Sequence, residues 1–136
     1  MRKMKFLIVC ALLVSIQMLS AQETKHTLII SFSNLEEDEG FVMLKVEDEY
    51  QKVVAKFKIP VENQHASASV KLTDGKYGVS AYHDVNGNEE LDFNFIGVPT
   101  EPYGFGNDAR GTFGKPDYSK TLIEVRGDTK TSFKLL

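Results

Sequence analysis

The chain has 136 residues, of which 16 are Lys or Arg, 19 are Asp or Glu and one is Cys. Three basic residues and the cysteine lie within residues 1–21, so residues 22–136 carry 13 basic and 19 acidic residues, a net charge of −6. A chain this acidic lacks the basic face that nucleic acids and anionic membrane surfaces require, and without cysteine its second part contains no disulfide.

The N-terminal segment predicts a signal peptide over residues 1–21. Arg2, Lys3 and Lys5 precede an apolar run over 6–19, and the small residues at 20 and 21 provide a cleavage point. The run is too short for a stable membrane span, although an uncleaved anchor is the alternative. We therefore expect export through the secretory pathway to the periplasm or outside, and no integral membrane span after processing.

Residues 22–136 are predicted to form a single all-β domain. Apolar and polar residues alternate with a period of two in seven short segments: 28–32, 42–46, 55–59, 66–72, 77–81, 121–125 and 131–135. Seven strands at this spacing predict an antiparallel β-sandwich, immunoglobulin-like or prealbumin-like. The spacing of Leu72, Gly75 and Tyr77 resembles a corner of the prealbumin-like sandwiches.

One long loop rich in glycine and aromatic residues is expected over 84–118. Residues 84–109 contain six carboxylates and no Lys or Arg. An acidic segment without counter-charges favours a bound cation. The glycines of its second half leave the backbone exposed, so we expect aromatic rings to hold the loop on the strands.

The first part of this loop predicts a Ca²⁺ site. Oxygen-bearing side chains occupy relative positions 1, 3, 5 and 9, and position 7 offers its backbone carbonyl; the residues are Asp84, Asn86, Asn88, Asp92 and Glu90. Ca²⁺ takes about six to eight oxygen ligands, and EF-type loops supply them at this spacing. Glu89 stands where such loops have glycine and Phe95 where they have a bidentate glutamate, so we expect modest affinity.

A plain hairpin is the alternative interpretation of the same residues. Asn86-Gly87 is a strong signal for a type I′ turn, which would pair Tyr82 with residues near Phe93 and leave the carboxylates in solvent. The sequence leaves both interpretations open.

The other polar and aromatic residues of this region are expected to order the loop. His83 adjoins Asp84 but is a single histidine at a strand end, and Arg110 is expected to bridge Asp108 or another loop carboxylate. The candidates are His83, Tyr103, Phe105, Asn107, Arg110 and Phe113. The sequence has neither a G-x-S-x-G nucleophile motif nor the spacing of a zinc site.

The segments HDVNGNEELD and NFIGVPTEPYGFGNDARGTFGKP resemble the signature of the bacterial domain-of-unknown-function family 2141. The resemblance implies a secreted single-domain β protein and no particular reaction. Two positions depart from the family pattern: Glu89 replaces its usual second glycine, and Gly106 replaces its usual serine.

Two functions follow as hypotheses. The first is a non-catalytic, exported, Ca²⁺-stabilised binding or accessory module of the cell envelope, monomeric, with an envelope protein, a peptide or a glycan as partner. The alternative is a small secreted hydrolase that uses His83, Asp84 and a loop carboxylate. We expect the binding surface at the loop end, because the charges on the sheet faces are of mixed sign, although Phe41 and Met43 face outward with them.

Overall fold

The computed structural model describes residues 21–136, so residues 1–20 of the predicted signal peptide lie outside the described part. The described chain is all-β, with eight strands in two sheets and almost no helix. The strands are β1 (Lys25–Phe32), β2 (Phe41–Asp48), β3 (Val53–Pro60), β4 (Ala66–Thr73), β5 (Gly75–Asp84), β6 (Tyr103–Phe105), β7 (Leu122–Val125) and β8 (Thr129–Ser132). Two single turns of 3-10 helix span Gly106–Asp108 and Tyr118–Thr121. Within residues 21–136, no helix has the length and apolar character of a membrane span.

The smaller sheet has the strand order β4-β1-β8. β1 pairs with β4 antiparallel from Lys25–Thr73 to Phe32–Ala66, but with β8 in parallel. The prediction of a wholly antiparallel arrangement was therefore wrong at this pair. Alternation within a strand reports which face is buried and carries no information about the direction of its neighbour.

The larger sheet has the order β3-β2-β5-β6, with β7 beside the first half of β5. β5 is its central strand: it pairs with β2 along one edge and with β7 and then β6 along the other. The sequence predicts seven strands, and the additional one, β6, lies inside the segment expected to be a loop. With only three residues, Tyr103–Phe105, β6 is too short for alternation to reveal it.

The inward positions of both sheets form one apolar cluster, which confirms the predicted alternation. Leu28 and Ile30 of β1, together with Val42 and Val46 of β2, are completely buried in it. Phe32 packs edge-to-face on Phe133 with ring centroids 5.0 Å apart. Burial of apolar area is the main stabilising contribution in such a core.

The C-terminal residues connect the two sheets. β8 belongs to the smaller sheet, whereas Leu136 exchanges backbone hydrogen bonds with Tyr103 of β6, at N···O distances of 3.1 and 3.2 Å. Gly104 lies so close to this segment that a Cβ atom there would overlap the carbonyl oxygen of Lys134. The approach of the two backbones therefore requires glycine at this position.

Replacing Gly104 with Ala should lower the free energy of unfolding by about 1–3 kcal/mol, because the added methyl group collides with backbone that cannot rotate away. Gly127→Ala is the matched control, since a Cβ atom at Gly127 meets nothing within 4 Å. The control should be neutral or more stable by up to about 1 kcal/mol. Urea unfolding of both variants measures the difference, and equal stabilities would contradict the placement of the C-terminal segment on β6.

Candidate functional site

The end of β5 sends two adjacent polar residues to opposite faces of the larger sheet. His83 is in register with Val42 and points toward the core, whereas Asp84 is in register with Phe41 and points toward the other face. Both residues have 0% relative exposure. Asp84 is buried because the loop that follows it folds over its side chain.

The carboxylate of Asp84 organises the start of this loop. Its Oδ1 accepts the N–H of Gly87 at 2.9 Å and its Oδ2 accepts the N–H of Glu89 at 2.8 Å. Among residues 21–136, no Lys, Arg or His forms an ion pair with Asp84. A buried negative charge is thus held by two backbone donors alone.

The next predicted ligands form a second network in the same turn. Asn86 Oδ1 accepts the N–H of Asn88, and Asn88 Oδ1 accepts the N–H of Glu90, both at 3.1 Å. The side-chain amides of Asn86 and Asn88 donate to the carboxylate of Asp92, at 2.7 and 2.9 Å. The structure therefore links three of the five predicted ligands, Asn86, Asn88 and Asp92, through their side chains. Asp84 binds backbone N–H groups of the same turn, and the side chain of Glu90 is exposed.

The plain-hairpin interpretation was wrong. A type I′ turn requires positive φ at both Asn86 and Gly87, but of these two only Gly87 has it, at +72°. Tyr82 pairs with Tyr103, and Phe93 instead forms a bridge with Pro99.

Glu89 adopts the left-handed backbone conformation, with φ +65°, at the position where an EF-type loop has glycine. Its carboxylate forms an ion pair with Lys58 at 2.5 Å. The hydrogen bond and the charge of Lys58 lower the pKa of Glu89 below its usual value. The sharp turn is thus made despite the residue that replaces glycine.

The region around these side chains is negatively charged. Burial raises the pKa of Tyr82 above its usual value, and the charges of Asp84 and Glu101 raise it further. Glu101 Oε2 accepts the N–H of Asp92 at 3.2 Å, whereas its Oε1 is buried without a hydrogen-bond partner. In the part of the chain that the structure describes, no three His, Cys, Asp or Glu side chains are grouped as metal ligands.

His83 is packed beneath this site. One ring nitrogen, Nε2, is 2.7 Å from the carbonyl oxygen of Glu39, and the other, Nδ1, is buried without a partner. The backbone N–H of His83 donates to the carbonyl of Pro102 at 2.8 Å. His83 therefore ties the end of β5 to two surrounding segments.

The second half of the loop is held mainly by bonds to backbone. Asn107 donates from its side-chain amide to the carbonyls of Lys120 and Leu122, at 3.2 and 2.8 Å. Arg110 donates to the carbonyls of Tyr103 and Lys134, at 3.2 and 3.1 Å. The expectation that Arg110 bridges a carboxylate was wrong, since it has no ion pair within residues 21–136.

Asp108 binds the backbone of the same residue, Lys134. Its Oδ1 accepts the N–H of Lys134 at 2.7 Å, while Arg110 binds the carbonyl of Lys134. Both charges therefore serve to hold the C-terminal segment on the loop.

The aromatic residues divide into two groups. Tyr103 and Phe105 lie on β6 and pack edge-to-face with ring centroids 6.0 Å apart. Phe113 is 99% exposed, so the expectation that it anchors the loop was wrong. The backbone around it turns tightly on itself, with Gly111 against the carbonyls of Gly114 and Lys115, and the ring is left in solvent.

A small hairpin over 93–99 was not predicted. Asn94 Oδ1 accepts the N–H groups of Ile96 and Val98, both at 3.0 Å, and Asn94 N–H donates to the carbonyl of Val98 at 2.9 Å. The hairpin exposes a set of large apolar side chains: Phe93, Phe95, Ile96 and Val98. Asn94, three residues before Gly97 and between apolar residues, was the signal for this turn in the sequence.

Comparison of the chain with known protein families gives one match. A family model described as "Uncharacterized protein conserved in bacteria (DUF2141)" matches residues 24–134, which confirms the resemblance noted in the sequence. A search of curated proteins and a search of solved structures found no significant match.

Arg110→Gln should loosen the contact between β6 and the C-terminal segment, because it removes the donors to Tyr103 and Lys134. The free energy of unfolding should fall by about 1 kcal/mol, since solvent competes for these exposed hydrogen bonds. Amide hydrogen exchange should become faster at Tyr103 and Leu136 and remain unchanged in β4.

Arg126→Gln is the matched control for this prediction. It removes the same charge from a surface pair with Glu124, far from β6 in the sheet. If both variants exchange alike at Leu136, Arg110 does not hold the segment.

Proposed function

Because the chain belongs to the DUF2141 family, whose description assigns no activity, we propose a function from the site: a non-catalytic binding or accessory module of the bacterial cell envelope, whose long loop is ordered by Ca²⁺. The observation that carries this proposal is the buried carboxylate of Asp84. It has no exposed surface and forms no ion pair in the described part of the chain.

A buried carboxylate is costly unless an opposite charge or several hydrogen bonds compensate it. The two N–H donors of Gly87 and Glu89 compensate Asp84 in part, and Glu101, whose charge acts on Tyr82 together with that of Asp84, adds to the negative potential. A divalent cation would supply the missing charge.

The donor set fits Ca²⁺ better than other metals. It consists of carboxylate and amide oxygens, which Ca²⁺ prefers, and has no thiolate or accessible imidazole, which zinc prefers. Each oxygen that accepts a backbone N–H retains a lone pair for an ion. The residues that would hold Ca²⁺ are Asp84, Asn86, Asn88 and Asp92 through side chains and Glu90 through its backbone carbonyl.

An ordered loop would present a surface for a partner. The hairpin over 93–99 exposes Phe95 at 99% and Ile96 at 69%, and contiguous exposed apolar residues on a rigid hairpin are typical of interaction sites. This supports a binding role at the loop end of the molecule, with an envelope protein, a peptide or a glycan as partner of a monomeric domain.

The hydrolase alternative has less support. A catalytic pair of His83 and Asp84 would need to reach a substrate together, but the two side chains lie on opposite faces of the sheet and neither is exposed. The Nε2 atom of His83 is also occupied by the carbonyl of Glu39.

Two further parts of the proposal concern architecture and export. We infer a β-sandwich, because inward residues of both sheets belong to one apolar cluster. We infer export because residues 1–21 have the composition of a signal peptide.

Ca²⁺ should raise the melting temperature of the domain, and at about 100 times its dissociation constant it should add about 2.7 kcal/mol to the free energy of unfolding. Asp84→Asn should abolish this gain, because it removes the charge at the centre of the site and keeps the shape of the side chain. Melting curves with Ca²⁺ and with chelator measure the effect.

Asp117→Asn is the matched control, since Asp117 is an exposed acid paired with Lys120 outside the site. This variant should keep the full response to Ca²⁺. Superimposable curves with Ca²⁺ and chelator for the unaltered protein, or a full response in Asp84→Asn, would refute the site.

A further inference from the structure

The outer face of the larger sheet carries a groove of about 740 Å³. Two cross-strand rows form its floor. Lys56, Lys45, Ser80 and Phe105 are in register across β3, β2, β5 and β6. Lys58, Met43, Tyr82 and Tyr103 form the neighbouring row. Leu91 and Tyr118, from the two ends of the long loop, supply walls.

The lining of the groove has an excess of positive side chains on an acidic molecule, although Tyr82 in its floor faces the charges of Asp84 and Glu101. The groove is lined by four lysines and two glutamates, whereas residues 22–136 carry a net charge of −6. Lys45 pairs with Glu47 at 2.9 Å and Lys58 with Glu89 at 2.5 Å. Of the described residues, none forms an ion pair with Lys56 or Lys115. Two uncompensated cations therefore remain.

The position of Lys56 does not favour the stability of the sheet. It lies directly opposite Lys45 on the neighbouring strand, and like charges in that position destabilise a sheet. An anion bound at Lys56 would offset this repulsion.

Aromatic rings provide the second component of the groove. Tyr82, Tyr103, Phe105 and Tyr118 are all partly buried and line the same space. Tyr118 is fixed by a hydrogen bond of 2.6 Å from its hydroxyl to the carbonyl of Asp48, and its ring covers Gly78, where a larger residue would collide with it. Such rings offer an apolar face and, in tyrosine, a polar edge.

We propose that this groove binds a short acidic saccharide. The apolar face of a sugar ring packs on the tyrosine and phenylalanine rings, its hydroxyls bond to Ser80 and the tyrosine hydroxyls, and its carboxylate is bound by Lys56 and Lys115. The inference names a partner class for the binding module proposed above and rests on that proposed function, but it does not require the ion.

The geometry favours a saccharide over an extended peptide. β2 and β5, which form the centre of the floor, each have both backbone edges paired within the sheet. A peptide therefore has no free strand edge to add to there, and recognition must come from side chains. The groove volume is within the range of small-ligand sites, about 300–1,000 Å³.

The test is calorimetric titration of the full domain with an oligomer of galacturonic acid and with its methyl ester. The ester keeps the rings and hydroxyls and removes the charge. The acidic oligomer should bind, and the ester should bind at least about tenfold more weakly, which corresponds to the loss of a charge-assisted hydrogen bond.

Lys56→Gln/Lys115→Gln should weaken binding of the acidic oligomer by about tenfold or more. Lys71→Gln/Lys130→Gln, a charge-matched double variant on the smaller sheet, should bind as the unaltered protein does. The thermal melting of each variant is recorded first, so that a change in binding is compared only between folded proteins.

Three results would overturn the inference: no binding of the acidic oligomer by the folded protein, equal binding of acid and ester, or equal weakening by both double variants. A response of the melting curve to Ca²⁺ without saccharide binding would refute the groove and leave the ion site intact. Saccharide binding without a response of the melting curve to Ca²⁺ would refute the ion site and leave the groove intact.

Discussion

The structure depends on one buried carboxylate at the end of its central strand. Asp84 has its two oxygens bound by the N–H groups of Gly87 and Glu89, so the chain must turn immediately after β5 and fold back over the sheet. A buried carboxylate is stable only when donors or an opposite charge compensate it, and the turn provides two such donors. This turn sets the direction in which the loop leaves β5.

A second constraint closes the loop at its other end. Asp108 binds the backbone N–H of Lys134 and Arg110 binds its carbonyl, and Gly104 lets β6 approach this residue closely. Because the same C-terminal segment begins as β8 of the smaller sheet, these bonds also connect the two sheets. Loop order and the relation between the sheets therefore rest on the same few contacts, and a change in one should be felt in the other.

The outer face of the larger sheet gains its character from the loop. In the sequence, Lys45, Lys56 and Lys58 are polar positions of alternating strands and predict a solvated face. In the structure, the returning loop places Leu91 and Tyr118 beside them and converts the face into a groove. The hairpin at 93–99 and the groove are separate surfaces that the same loop provides. Recognition at the loop end stays a prediction, and the saccharide proposal adds the groove as a second surface.

The sequence by itself determined the all-β class, the inward positions of most strands and the cluster of oxygen-bearing side chains between Asp84 and Asp92, because alternation and local spacing are properties of short segments. Only the tertiary structure decided what depends on contacts distant in the chain. The parallel pairing of β8 with β1, the role of Arg110 on backbone carbonyls and the exposure of Phe113 belong to this second group. The strand that β8 meets and the carbonyl of Lys134 that Arg110 binds lie far away in the chain, whereas the ring of Phe113 is left in solvent. No local pattern specifies which strand or carbonyl a residue will meet.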